Sequence, residues 1–417
     1  MTFQVNASDE CPMSIPRLEL GKSSAMLAYK PIIRPSVRSS SEGQKSAKIP
    51  FKQMLKIAAK CIPEGMMNGE IRELEGVLKD KNFYVVKLKD QFSYLKIGKQ
   101  IGAGSFSVVY SVIEAAGPAI KEYGDLVVKT SSRALDHGGV EDTAQEIEAG
   151  KYKLPYVVLT HASYIYKATD KIHMIMLQQS LKGGALQNLI KAQNIPITLK
   201  VETIRQFATG EKELQDHHIF HRDIRPGNAM LLRKVSASKG KTSDIQVRLI
   251  DFGNHINLEK YEDPKYSLTW SGTYGYAAPE LIALQGYKPP SDTIGKPDTS
   301  TIGLVMARKM LYTNGKIDDE KIEGFHRAVE VYAFSVSAFE TLFAELPKMA
   351  MKVIEAGAMA MYHGQIETRD TNYPEPERVN LFEEAKENGV SDDLMALVWQ
   401  GLSPDPTERP PIEDFKK

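Results

Sequence analysis

Only two cysteines, Cys11 and Cys61, occur in 417 residues. That is too few for the disulfide framework of a secreted scaffold, and it agrees with a reducing, cytoplasmic setting. No apolar run reaches the roughly 18 residues a membrane-crossing helix requires, which excludes a span of that kind. The first thirty residues carry Asp9 and Glu10 and lack an apolar core, so a cleaved secretory leader is not expected. Charge of one sign is missing too. Lys and Arg number 53 and Asp and Glu number 53, so no global field recommends nucleic acid or an acidic membrane surface as partner. Specificity must come from local sites. The hydrophobic share of 42% and charged share of 25% are ordinary for a globular chain, and the length leaves room for one large domain plus extra segments.

Those segments are unequal in character. Residues 1–48 are polar, broken by Pro16, Pro31 and Pro35, and include a serine-rich piece without apolar period, which predicts a flexible N-terminal arm. Residues 49–94 read as an extension packed on the main body of the chain. Within it Phe51, Leu55, Ile57 and Ala58, then Ile71, Leu74, Val77 and Leu78, recur at helical spacing around Pro63-Glu64-Gly65, predicting two short helices. Stretches 82–89 and 92–101 look like strands leading into that body.

The chain centres on His221-Arg222-Asp223-Ile224-Arg225-Pro226-Gly227-Asn228. This polar segment follows a helical pattern over 199–215, and it precedes the strand-like Val247-Arg248-Leu249-Ile250, which ends in Asp251-Phe252-Gly253. Asp223, Asn228 and Asp251 thus put three oxygen-bearing side chains on two adjacent loops, a donor set suited to a hard cation. In this order the motifs resemble the catalytic loop and metal-binding triplet of eukaryotic-type protein kinases. The resemblance implies that Asp223 is the catalytic base and that Asn228 and Asp251 hold magnesium beside ATP. Arg225 stands where serine/threonine kinases carry lysine, keeping the cation in a wider planar fork. His221 is expected to pack and hydrogen-bond rather than to titrate.

Upstream, Gly102-Ala103-Gly104-Ser105-Phe106-Ser107-Val108-Val109 resembles the kinase glycine-rich loop, with strand-like residues and not a helix after it. Ile101, Gly102, Gly104, Ser107 and Val109 are then the nucleotide-facing residues, Ser107 replacing the family's third glycine. Two lysines compete to hold the phosphates. Lys121 follows Ala119-Ile120 and suits the family pattern literally, but Lys129 is preferred because it ends the better strand and leaves Gly117-Pro118 to a long hairpin loop. Two acids compete for the partner role on the next helix: Glu146, followed by Ile147, and Glu148, a turn before Tyr152. Two apart, they cannot both face the lysine, and the family's acid-then-aliphatic pattern favours Glu146. Residues 155–166 and 172–177 read as strands, and Met176 or Gln178 guards the back of the pocket.

Downstream, Gly272-Thr273-Tyr274-Gly275-Tyr276-Ala277-Ala278-Pro279-Glu280 resembles the kinase segment ending in Ala-Pro-Glu. Thr273 and Pro226 suit serine/threonine specificity. Either Arg222 binds a phosphate on Tyr266, Ser267, Thr269 or Ser271, or the loop is ordered without modification. Arg409, in Asp405-Pro406-Thr407-Glu408-Arg409-Pro410, is expected to pair with Glu280. Residues 329–343 are apolar nearly all round, predicting a helix buried on every side, with Glu330 where the family has a shorter acid bonded to the catalytic loop. The stretch 286–327 is longer than the family normally allows and reads as an insertion, either a partner surface or a loop packed on its own lobe. The chain stops soon after Arg409, as if further domains had been trimmed.

The resemblance spans about residues 95–415. It implies an α+β, two-lobed fold: a small antiparallel β lobe with one main helix over a mostly helical lobe. The lobes fall at about 95–178 and 179–417. It further implies transfer of the γ-phosphoryl group of ATP, with Mg2+, to Ser or Thr of a protein substrate. The alternatives are a pseudokinase or scaffold acting through the arm and the insertion, and a small-molecule kinase of related fold. The departures at Ser107, Arg225 and Glu330 suit a divergent kinase, such as a bacterial effector delivered into a host cell, by analogy only.

Overall fold

The structure is a computed structural model that describes residues 51–74, 82–104, 107–134, 137–168, 170–191, 195–235, 245–260, 267–268, 271–286, 302–347, 350–351 and 375–417. The arm at 1–48 lies outside the described residues. Segments rich in β-branched and aromatic residues form one seven-stranded sheet: β1 (Ile71–Glu73), β2 (Phe83–Leu88), β3 (Gln91–Ala103), β4 (Ser107–Ala116), β5 (Leu126–Ala134), β6 (Thr160–Ala168) and β7 (Lys171–Gln179). The order is β1-β2-β3-β4-β5-β7-β6, and every pairing is antiparallel. Helix α1 (Phe51–Ala58) precedes the sheet, and α2 (His137–Ala149) sits between β5 and β6.

The extension differs from the helical expectation. Among the described residues one helix forms, and Ile71 enters β1, where it pairs with Val86, while Val77 and Leu78 lie outside the described residues. The reason lies in β2, whose residues Phe83, Tyr84, Val85 and Val86 are all buried. Such a strand must be covered on both faces. The main lobe core, with Leu95, Val128 and Leu177, covers one face. Met54, Ala58, Met66 and Leu74 cover the other, and the Phe51 ring lies 5.8 Å from Phe83. The strand expected from 155 begins at Thr160 instead.

The second lobe is built on helices. After β8 (Gly184–Ala185) and α3 (Leu186–Lys191) comes α4 (Ile197–Asp216). Short strands β9 (Ile219–Phe220), β10 (Ala229–Leu231), β11 (Val247–Leu249) and β12 (Ile256–Asn257) then frame the loops of interest. Helices α5 (Pro279–Gly286) and α6 (Ile302–Leu311) lead through the hairpin β13 (Tyr312–Thr313) and β14 (Lys316–Ile317) into α7 (Ile322–Phe343). Helices α8 (Glu375–Glu387) and α9 (Asp392–Gly401) complete the lobe.

Helix α7 is buried all round, as its pattern predicts, but it starts seven residues before Val329, so Glu330 sits in its third turn. Phe334 anchors it between Phe207 of α4 and Phe415 of the last turn, at ring distances of 5.3 and 4.9 Å. The described part of the 286–327 stretch packs on its own lobe through Ala307 and Leu311, and Lys309 reaches Asp405 at 3.1 Å. Among the described residues, no helix is long and apolar enough to cross a membrane.

The expected pair of Arg409 and Glu280 is fully buried and bidentate, with Nη1 to Oε1 at 2.6 Å and Nη2 to Oε2 at 2.9 Å. Arg409 also donates to the carbonyls of Ala328 and Ser403. It thus ties α5, α7 and the C-terminal segment together. Removing one partner of such a pair strands a buried charge. Glu280→Ala should cost about 3–5 kcal/mol in urea unfolding, and combining it with Arg409→Met should cost less than the two single changes summed.

Candidate active site

Between the lobes, β5 presents Lys129 and α2 presents Glu146, 7% and 4% exposed. Their ammonium and carboxylate form a direct ion pair. Lys129 Nζ also lies 3.3 Å from Asp251 Oδ1. Burial lowers the affinity of Lys129 for its proton, but the two carboxylates outweigh that and raise its pKa above the ordinary lysine value. Lys121 is exposed on a single 3-10 turn, Ile120–Tyr123, in the hairpin loop between β4 and β5. Glu148 faces elsewhere, accepting from the Tyr152 hydroxyl at 2.7 Å and pairing with Lys260. Met176 stands opposite Lys129 in the sheet, and Gln178 stands opposite Val127, nearer the strand end.

The glycine-rich segment is the β3–β4 hairpin. Gly102 lies opposite Val109, and the Gly104 N–H donates to the Ser107 carbonyl at 2.8 Å, closing the turn. Ile101 is half exposed at its edge.

Between β9 and β10 the catalytic-type loop is folded by its own side chains. His221 donates from Nε2 to the Ile250 carbonyl at 2.9 Å and accepts the Asp223 N–H at Nδ1, 3.3 Å away, so one tautomer serves both bonds. Its ring packs 4.7 Å from Phe252. It packs and bonds, as expected. Asp223 is surrounded by donors: Thr273 Oγ1 at 2.8 Å, Asn228 Nδ2 at 2.7 Å and Arg225 Nε at 3.3 Å. Asn228 Nδ2 also donates to the Asp223 carbonyl. Both its bonds come from the amide nitrogen, which leaves Oδ1 as an acceptor.

Asp251 opens the following turn in left-handed conformation, φ 67°. Its carboxylate is half exposed toward Lys129. Desolvation works against its charge, but Lys129, His221 and Arg133 more than offset this and hold its pKa below the usual aspartate value.

Two glycines outside the predicted site make this geometry possible. A Cβ on Gly227 would lie 2.3 Å from Arg225 Nη1, so a larger residue there would displace the guanidinium from its place beside Asp223. A Cβ on Gly272, at φ 115°, would lie 2.3 Å from the Arg222 carbonyl. The Ala-Pro-Glu segment therefore approaches the loop closely enough for Thr273 to bond Asp223. Neither close approach is visible in linear sequence.

Arg222 is also strained, at φ 62°. Its N–H donates to Glu330 Oε1 at 2.6 Å, its Nε to the Asn254 carbonyl at 2.6 Å, and its Nη1 to the Ser267 carbonyl at 3.3 Å. The extra methylene of Glu330 is thus accommodated, and its carboxylate reaches the loop. Of the four expected phosphate acceptors, Tyr266 and Thr269 lie outside the described residues. Ser267 is a correction: it is 1% exposed and bonded through Oγ to His326 Nε2 at 2.8 Å. Burial pushes His326 down to about 3, so the ring is neutral and shares that hydrogen bond.

The family model described as protein kinase domain matches residues 95–417. The chain belongs to the protein kinase domain family. The match begins within β3, so α1, β1 and β2 lie outside it although the two strands are hydrogen-bonded into the same sheet. The chain is 28% identical over 209 residues to a calcium/calmodulin-dependent protein kinase of Metarhizium anisopliae, covering 49% of this chain and 48% of that protein. It is 27% identical over 201 residues to serine/threonine-protein kinase ATG1c of Arabidopsis thaliana, covering 47% and 25%. It is 25% identical over 199 residues to CBL-interacting serine/threonine-protein kinase 14 of Arabidopsis thaliana, covering 47% and 41%. The matched region thus spans half or less of each relative's length.

The buried lysine can be tested against its exposed rival. Lys129→Ala leaves Glu146 buried without its cation and should cost about 3–5 kcal/mol in chemical unfolding. Lys121→Ala should stay within about 0.5 kcal/mol of the parent.

Proposed function

We propose that the chain transfers the γ-phosphoryl group of ATP to a Ser or Thr hydroxyl of a protein substrate. The observation that carries this reading is the convergence on one cleft of the closed Lys129–Glu146 pair, Asp251, and an Asp223 held by Thr273, Asn228 and Arg225. Asp223 orients the attacking hydroxyl and takes its proton, a late event where the transition state is loose. The hydroxyl oxygen bonds to the γ-phosphorus as the bridging oxygen leaves with ADP. Lys129 holds the α- and β-phosphates, and Arg225 supplies positive charge beside Asp223. Ile101, Gly102, Gly104, Ser107 and Val109 cover the nucleotide.

Magnesium fits the residues present. Asp251 is charged and open to the cleft, Asn228 keeps an oxygen acceptor, and this cation takes few protein ligands beside substrate phosphates. When bound it neutralises charge on the phosphates. The Thr273 bond to Asp223 favours a Ser/Thr acceptor, as do the names of the plant relatives. We take about 95–178 and 179–417 as the two lobes, with 286–327 as an insertion that offers exposed Val305 to a partner protein.

A second reading is a pseudokinase or scaffold, favoured by Arg225 lying on the proposed base itself, 3.3 Å from Asp223 Oδ2. Asp223→Ala discriminates between the two. Under the transfer reading, turnover in a phosphorylation assay should fall about 10²–10⁴-fold, while magnesium-dependent nucleotide binding, measured by calorimetry, persists. Undiminished transfer by that variant would defeat the assignment.

A further inference from the structure

Beneath the catalytic-type loop, α4 and α7 bring two carboxyl groups together in a fully enclosed place. Glu211 is 0% exposed and Glu330 is 2% exposed, and their side chains are in hydrogen-bonding reach of one another. Glu330 has a donor on one oxygen, the Arg222 N–H. Among the described residues its Oε2 has none, and neither does either oxygen of Glu211. Two ionised carboxylates cannot share such a site, because burial and mutual repulsion both oppose the second charge. A single proton between them removes the repulsion and provides the missing donor at once.

We infer that Glu211 is a positioning residue: as a neutral acid it donates to Glu330 and fixes the carboxylate that holds Arg222, and through Arg222 the loop carrying Asp223. The assignment of the proton comes from the partners. Glu330 accepts an N–H and is therefore the better anion, whereas among the described residues no group donates to Glu211, which faces Glu330. Arg222 needs this hold because its left-handed backbone is costly for a non-glycine residue. The direction of titration agrees, since burial first and Glu330 second raise the Glu211 pKa well above the ordinary glutamate value.

Among the described residues, the charged and titratable groups around the pair are few. From the loop come His221 and Arg222. On α7, His326 lies one turn before Glu330 and is neutral. Arg327 is occupied by Glu323 and by Gln215, one turn beyond Glu211 on α4.

The positioning role rests on the proposed transfer reaction, but the shared proton does not. The wild-type chain takes up this proton on folding, so its stability should fall as pH rises above about 4.5, the ordinary value. Thermal and urea unfolding of wild type and Glu211→Gln between pH 5 and 8 should diverge. The folded-to-unfolded ratio of wild type should decline relative to the variant by up to about tenfold per pH unit. Parallel profiles would overturn the shared proton, whatever the activity of the protein.

The positioning role has its own readouts at pH 7. Glu211→Met keeps the volume without the donor, and it should reduce kcat at least about tenfold with KM for ATP little changed. Glu211→Gln, which can still donate, should restore turnover to within about threefold. Amide exchange at 221–223 should quicken in Glu211→Met and not in Glu211→Gln. Equal kcat and equal exchange in all three proteins would overturn it. A wild type without transfer would sink the kinase reading, and the exchange and unfolding arms would still decide this one.

Discussion

The N–H of Arg222 ends on the Glu330 carboxylate 2.6 Å away, and the loop that carries Asp223 is tied to α7 by that contact. Glu330 can make it only because α7 is fixed from every side: Phe334 lies between α4 and the C-terminal turn, and Arg409 clamps the Ala328 carbonyl while pairing with Glu280. A helix so enclosed loses little by carrying polar groups, provided each finds a partner. Glu330 holds the loop, His326 holds Ser267, and Glu340 accepts from the Tyr276 hydroxyl at 2.5 Å. The catalytic-type loop, the following segment and the Ala-Pro-Glu region are therefore referenced to one rigid element. This is the kind of support that keeps reacting groups within a fraction of an ångström.

Charge completes what packing begins. Lys129, Glu146 and Asp251 link the β lobe to the helical lobe through one buried ammonium, whose raised proton affinity and the lowered one of Asp251 have the same cause. Asp223 has its own ring of donors and stays separate from that triad. On the proposed reading, Lys129 is the cation for phosphates and Asp223 the anion for a hydroxyl, the division that phosphoryl transfer requires.

Much of this is legible in linear order. The loop 221–228, the Asp251 triplet, the hairpin at 102–109 and the Glu280–Arg409 pair are short motifs whose spacing carries their geometry. Strand quality alone favours Lys129 over Lys121, since a lysine ending an apolar run must point somewhere enclosed. What sequence hides depends on close approach between distant segments. Gly227 and Gly272 look like ordinary turn residues until Arg225 and the Arg222 carbonyl are seen against them. Glu211 reads as one more polar residue in a helix of average amphipathicity. Ile71 and Leu74 have helical spacing over a window too short to exclude a strand, and the demand of β2 for a partner decides the matter. Ser267 looks like a phosphate acceptor because nothing in the sequence says that His326 will bury it.

The central claim is that these residues make a working transfer site for protein hydroxyls. The most direct test is to incubate the protein with γ-labelled ATP and a cell lysate, with magnesium or with a chelator, and to identify the modified residues by mass spectrometry. The account predicts label on Ser and Thr of protein recipients, abolished by the chelator. Magnesium-dependent nucleotide binding without transfer to any protein, the chain itself included, would contradict it.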